Sequence, residues 1–146
     1  MNYKKSELEF HAIATNTTPS IPMAEANVHA GFPNPIDDAY MSPPIDLNKE
    51  LVKNPASSYI VRVIGDSMIE EGIDEGDLLI VDRSVFATEK DIVVCMIDGE
   101  FALKHIVRHE GKLLLKAGNR KYKSILVNNP GDLRIFGVVQ WVLKHK

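Results

Sequence analysis

From Ser57 onward the hydrophobic positions fall into short runs rich in β-branched residues, each bounded by glycine, asparagine, aspartate or proline. Tyr59-Ile60-Val61-Arg62-Val63-Ile64 stops at Gly65-Asp66, and Leu78-Leu79-Ile80-Val81 follows Gly76-Asp77. Two more runs, Asp91 to Ile97 and Glu100 to Val107, flank Asp98-Gly99. Both residues of that dipeptide tolerate positive φ, so the flanking runs are predicted to pair as a hairpin. His109-Glu110-Gly111 marks a second turn before Leu113-Leu114-Leu115, and Asn128-Asn129-Pro130-Gly131-Asp132 marks another before the run from Leu133 to Leu143. Short alternating runs joined by tight turns predict a mainly β fold, a compact antiparallel β domain.

The chain before Ser57 has a different pattern. Thr15-Asn16-Thr17-Thr18-Pro19-Ser20-Ile21-Pro22 is polar and broken by proline, and Gly31-Phe32-Pro33-Asn34-Pro35 follows soon after. Neither stretch can hold a helix or a central strand, so an extended arm or linker is expected there. Over residues 36–53 a short helical turn could be capped by Asp46 or Asn48, while Pro43-Pro44 interrupts anything longer.

Composition narrows the class. The chain has 146 residues, about one domain's worth, with 17 Lys+Arg against 20 Asp+Glu. At that length roughly two thirds of the unfolded chain's surface can be buried, so a core forms without metal or disulfide staples. The single cysteine, Cys95, sits in the apolar run Ile92-Val93-Val94-Cys95-Met96-Ile97 and reads as a small buried hydrophobe suited to a reducing cytoplasm. No apolar stretch reaches signal-peptide or membrane-span length, so neither secretion nor membrane insertion is expected.

Charge is unevenly distributed. Residues 1–30 hold two basic and three acidic groups, residues 31–102 five and fifteen, and residues 103–146 ten and two. The basic C-terminal third could suggest nucleic acid. However, Lys112, Lys116, Lys121 and Lys123 fall among strands and turns without interleaved aromatics, which reads as a solvated face, and no direct sequence-specific DNA binding is expected.

Ser67 is the first candidate for chemistry. It follows a predicted strand directly, in Gly65-Asp66-Ser67-Met68. A serine at a strand-to-turn junction usually satisfies turn hydrogen bonds, but it can also stand exposed beside outward-pointing backbone N–H groups, as a nucleophile requires. Such a nucleophile needs a base. His11 and His29 lie in the arm and His145 at the terminus, while His105 and His109 would have to be brought round by the fold. Lys104 fits better, because period-two alternation puts it on one face with Ala102 and Ile106. Burial among apolar neighbours disfavours an ammonium and lets a neutral amine accept the serine proton. The alternative is a lysine that lays its stem over that face and keeps its charge in water. His105 and His109 flank a turn, with no clustered ligand set around them, so no metal site and no cofactor are expected.

Gly65-Asp66-Ser67-Met68-Ile69, Gly76-Asp77-Leu78-Leu79-Ile80-Val81-Asp82, the Asp98-Gly99-Glu100-Phe101 hairpin followed by Lys104, and the ending Phe136-Gly137-Val138-Val139 together resemble the LexA-type self-cleaving serine peptidases. The likeness runs from about Ala30 to the C-terminus and includes Gly31-Phe32-Pro33-Asn34-Pro35 and Ile45-Asp46-Leu47-Asn48. It implies the LexA and signal-peptidase type of catalytic β fold, with Ser67 as nucleophile and Lys104 as general base. It implies a scissile bond between Ala30 and Gly31, with backbone N–H groups of Asp66 and Ser67 as oxyanion donors. The chain then divides into a removable arm (1–30), a linker with a short helical or irregular segment (31–56) and a peptidase domain (57–146). His105, facing away from Lys104 on a strand, is read as incidental.

In the branch of the family that serves SOS mutagenesis, the resemblance further implies a homodimer, cleavage induced by the RecA filament on single-stranded DNA, and a Y-family polymerase as the partner of the shortened form. The segment led by Val28 and His29 is expected to dock by strand addition. A repressor of the same family would need a helix-turn-helix before the cleavage bond, which thirty polar, proline-broken residues cannot supply. A signal peptidase would need an anchor. A noncatalytic module that keeps the fold and binds a polymerase or the filament is the reading from a different class.

Overall fold

The protein is described from a computed structural model covering residues 8–13, 20–24, 41–128 and 133–146. Two compact units are present. One joins the residues up to Ile13 with Asn54–Lys146, and the other lies within Ala14–Lys53.

The larger unit is an eight-stranded antiparallel sheet. Its strands are β1 (Leu8–His11), β4 (Ser58–Val63), β5 (Leu78–Asp82), β6 (Ile92–Ile97), β7 (Glu100–His109), β8 (Lys112–Lys116), β9 (Ile125–Leu126) and β10 (Arg134–Leu143). Their order across the sheet is β1-β4-β5-β10-β6-β7-β8-β9. Turn chemistry sets two of the joints. Asp98 and Gly99 carry φ of 50° and 79°, and Glu110 and Gly111 carry 51° and 76°, so the β6–β7 and β7–β8 hairpins both close through residues that accept the left-handed region.

β10 crosses the middle of the sheet, between β5 and β6, and changes register beside Gly137. A Cβ on Gly137 would stand 2.5 Å from Val81 Cγ1, so the glycine is what lets β10 lie close to β5 at this irregularity.

Alternation along the strands feeds two clusters of buried side chains. Val94 and Leu103 join Leu8, Val61, Val63, Met68, Ile73, Leu79 and Val81, while Val93 and Cys95 join Ile106, Leu115 and Val138. Neighbours on β6 thus serve different clusters, as a period of two requires.

The start of β4 is fastened to the end of β5 through Asp82, which is buried. Its carboxylate accepts from Asn54 Nδ2 (2.7 Å), Ser57 Oγ (2.7 Å), and Ser84 N and Oγ (2.8 and 2.7 Å). Tyr59 donates to the Phe136 carbonyl at 2.9 Å, and its burial, only partly opposed by the Arg83 charge, raises its pKa to about 12.

In the smaller unit β2 (Ser20–Ala24) pairs with β3 (Met41–Asp46), and α1 (Leu47–Leu51) follows. Pro43 and Pro44 therefore lie in a strand. A two-stranded ribbon has only edge strands, where a missing N–H is tolerated. Asp46 caps α1, its side chain accepting from Asn48 N at 2.9 Å.

Part of the expected arm is a strand. Leu8–His11 is the outermost strand of the main sheet, with Leu8 only 4% exposed in its core.

Candidate active site

Ser67 sits where β4 gives way to a tight turn. Gly65 has φ of 97°, the 3-10 helix Ile69–Glu71 follows, and Gly72 closes it in the left-handed region at 77°. The next residue, Met68, is 1% exposed and belongs to the core cluster, which fixes the turn from below. Ser67 itself is only 7% exposed.

The other side of this turn is held by the chain leaving β8. Glu70 N donates to the Gly118 carbonyl at 2.6 Å, Gly118 N reaches Met68 Sδ at 3.1 Å, and Asn119 Nδ2 donates to the Asp66 carbonyl at 2.8 Å. Tyr122 OH adds a bond to Asp66 Oδ1 at 2.9 Å. The approach is close enough to require glycine. A Cβ on Gly118 would lie 2.6 Å from Glu71 Cγ and 2.9 Å from Met68 Cα. Anchoring the Asp66 carbonyl also orients the peptide: its C=O points at Asn119, so the N–H of Ser67 in the same plane points the opposite way.

Lys104 stands on β7 opposite Val93, with Cys95 opposite Ala102. Its face carries Val93, Cys95 and Ile106, and Lys104 is 8% exposed. Among the described residues it forms no ion pair. Cys95 feels its charge. Burial pushes that thiol up to about 11, with the Lys104 ammonium pulling the other way. Cys95 is thus a fully buried, protonated thiol whose Sγ lies 3.6 Å from the Ala102 carbonyl.

Two connections hold the Lys104 strand against the Ser67 turn. The last β7–β8 pair is His105 with Lys116, so the following residues Ala117, Gly118 and Asn119 run directly from the neighbourhood of Lys104 to the Ser67 turn. The second is His105 itself, whose Nδ1 lies 3.3 Å from Glu71 Oε1. His105 does face away from Lys104, but it is not incidental: it ties β7 to the helical turn behind Ser67. Its Nε2 is buried and has no partner among the described residues. By contrast, His11 and His109 are exposed and lie beside Glu9 and Glu110.

Ser67 and Lys104 are therefore both buried, on segments fastened to each other. Asp66 and Ser67, whose backbone N–H groups are expected to face an oxyanion, both lie in this turn. Ala30 and Gly31, with Val28 and His29, lie outside the described residues. Sequence reasoning missed Glu71, Gly118, Asn119 and Tyr122. The only trace they left was a Gly-Asn pair after the Leu113-Leu114-Leu115 run, which signals a turn and says nothing of what the turn touches.

Among the described residues no helix is long and apolar enough to cross a membrane. A sequence profile described as Peptidase S24-like matches residues 22–140. Protein SamA of Salmonella typhimurium is 38% identical over 118 residues, covering 81% of each chain. Protein ImpA of Escherichia coli is 35% identical over 123 residues, 84% of this chain and 82% of its own. The LexA repressor of Clostridium botulinum is 32% identical over 126 residues, 86% of this chain but 56% of that protein.

Proposed function

This chain belongs to the peptidase S24-like family, and from that premise we propose that it is a UmuD-like, self-cleaving serine peptidase of the SOS response that cuts its own Ala30–Gly31 bond. In this reading neutral Lys104 Nζ takes the proton from Ser67 Oγ as the oxygen attacks the Ala30 carbonyl carbon. The tetrahedral oxyanion is met by the N–H groups of Asp66 and Ser67. Collapse breaks the C–N bond, and the Lys104 ammonium returns its proton to the Gly31 amine as it leaves. Water, deprotonated by the now neutral Lys104 Nζ, then attacks the Ala30 ester, and the proton passes to Ser67 Oγ as the ester C–O bond breaks and the arm is freed. The small side chains of Ala30 and Gly31 let an extended segment approach the nucleophile closely.

The observation that carries this reading is the burial of Lys104 at 8% exposure on an apolar strand face, with no carboxylate paired to it among the described residues. A lysine whose role was to reach solvent would not lie there. Tethering raises the effective concentration of the bond, so one turnover is fast enough with a modest base.

The proposal extends to context. The active unit is a cytoplasmic homodimer, cleavage is induced by the RecA filament on single-stranded DNA, and the shortened form serves a Y-family translesion polymerase. Purified protein incubated at increasing pH, and separately with RecA filaments, is expected to yield a fragment beginning at Gly31. Ser67→Ala and Lys104→Ala should remain intact. The wild-type rate should climb with pH, as expected of any reaction whose base is an unprotonated amine. A rate flat from neutral to alkaline pH, with Ser67 still required, would remove Lys104 from the role of base.

A further inference from the structure

β1 closes one edge of the main sheet, and it lies on the arm side of the Ala30–Gly31 bond. Leu8, Glu9, Phe10 and His11 pair antiparallel with Val63, Arg62, Val61 and Ile60. β4 has β5 on its other side, so among the described residues its outer edge is covered by this four-residue strand alone. Leu8 is buried in the core cluster. The Phe10 ring lies 5.6 Å from that of Tyr59 and 4.8 Å from that of Phe101, and Phe101 meets Phe136 at 4.9 Å.

Phe10 does not fill the space it enters. It stays 40% exposed, and with Tyr59, Arg83, Phe101 and Phe136 it borders a groove of about 480 Å³. Glu9 alternates to the opposite side and stands across from Arg62. The strand thus offers an aliphatic, then an acidic, then an aromatic side chain. The edge answers with a core socket, an arginine and an aromatic groove flanked by Arg83, whose guanidinium carbon lies 6.0 Å from the Tyr59 ring centre.

We propose that the outer edge of β4 is a strand-acceptor site, held by β1 in the intact chain and taken after cleavage by an extended segment of a partner protein with the same aliphatic–acidic–aromatic alternation. The inference rests on the self-cleavage reading for its trigger. While the chain is whole, β1 is tethered to its site and competes at high local concentration. Cutting between Ala30 and Gly31 removes the covalent tether and leaves the arm held by β1, with one buried anchor, and by the pairing of β2 with β3. The departure of β1 uncovers the N–H and C=O groups of β4, a template for main-chain pairing, next to two side-chain pockets that give specificity. A second copy of this chain cannot be the lasting occupant, because a cut copy has lost the same strand.

The test uses a fluorescent decapeptide of residues 5–14 and two routes to the cut. One is the wild-type chain after self-cleavage. The other is the full Ser67→Ala chain carrying an added protease's recognition sequence between Ala14 and Pro19, studied before and after that protease acts. The peptide is expected to bind both cut forms at least tenfold more tightly than the uncut chain, and a peptide with serine at the Leu8 and Phe10 positions should not bind. Hydrogen exchange at β4 amides should rise in step. If the added protease opens the site but the wild-type chain never cuts itself, the peptidase reading fails and the acceptor site stands. If the protease-cut chain binds no peptide, or keeps the fragment that carries β1 bound with β4 still protected, the acceptor site is overturned.

Discussion

His105 combines two conflicting features in one side chain. Its Nδ1 is 3.3 Å from Glu71 Oε1, while its Nε2 is buried with no partner among the described residues. An unsatisfied buried nitrogen costs about 1–3 kcal/mol, and a pair as accessible as this one, at 21% and 31% exposure, returns less than about 1 kcal/mol. Stability alone therefore does not account for a histidine here, whereas a link between the Lys104 strand and the Ser67 turn does. His105→Leu should leave the urea midpoint unchanged or raise it. The same change should slow self-cleavage on the order of ten- to hundredfold, because displacement of the reacting groups by a fraction of an ångström is enough. Equal rates in the two proteins would assign His105 no positioning role. The residues proposed as nucleophile and base were legible in context, a serine after a strand and a lysine on an apolar face. The residues that fasten their two segments to each other were not, since Gly118 and Glu71 acquire their roles only when distant segments touch.

At the scale of elements, β4 and β5 are registered by a single carboxylate as well as by their ladder. Burial would raise the Asp82 pKa above the usual 3.8, but hydrogen bonds from Asn54, Ser84 and Ser57 outweigh it and hold the group at about 2. A depressed carboxylate contributes stability that is fully present above its unfolded pKa and is lost as pH falls through the folded value. The shift corresponds to roughly 2 kcal/mol. Asp82→Asn should therefore be less stable than wild type by about that amount at pH 7, and urea titrations should find the two proteins converging between about pH 4 and pH 2. A constant gap across that window would mean that Asp82 acts by shape and not by charge. Which elements could be read in advance follows from the range of their contacts. Asp98-Gly99 and Glu110-Gly111 specify their hairpins locally, so β6, β7 and β8 were legible. β1 and β3 were not, because Leu8-Glu9-Phe10-His11 alternates for only one short strand and Pro43-Pro44 reads as a break unless the strand is known to lie at an edge.

For the molecule as a whole, the arm proposed for removal is also a part of the fold. Leu8 sits in the same cluster as Val61, Val63 and Leu103, so the sheet that carries Lys104 is completed by a residue on the far side of the proposed scissile bond. Cleavage should then register as a loss of stability and not only of mass. Truncating a core leucine costs about 2–5 kcal/mol, and the lower end suits a four-residue edge strand that can relax. In the uncut chain Leu8→Ala should lower unfolding stability by about 2 kcal/mol. If β1 leaves when the tether is cut, the cleaved wild-type protein should lose at least as much, with a smaller urea dependence because less surface is buried to begin with. Cleaved and intact forms unfolding at the same midpoint would mean that the strand stays seated. Cleavage would then have shortened the chain without opening its edge.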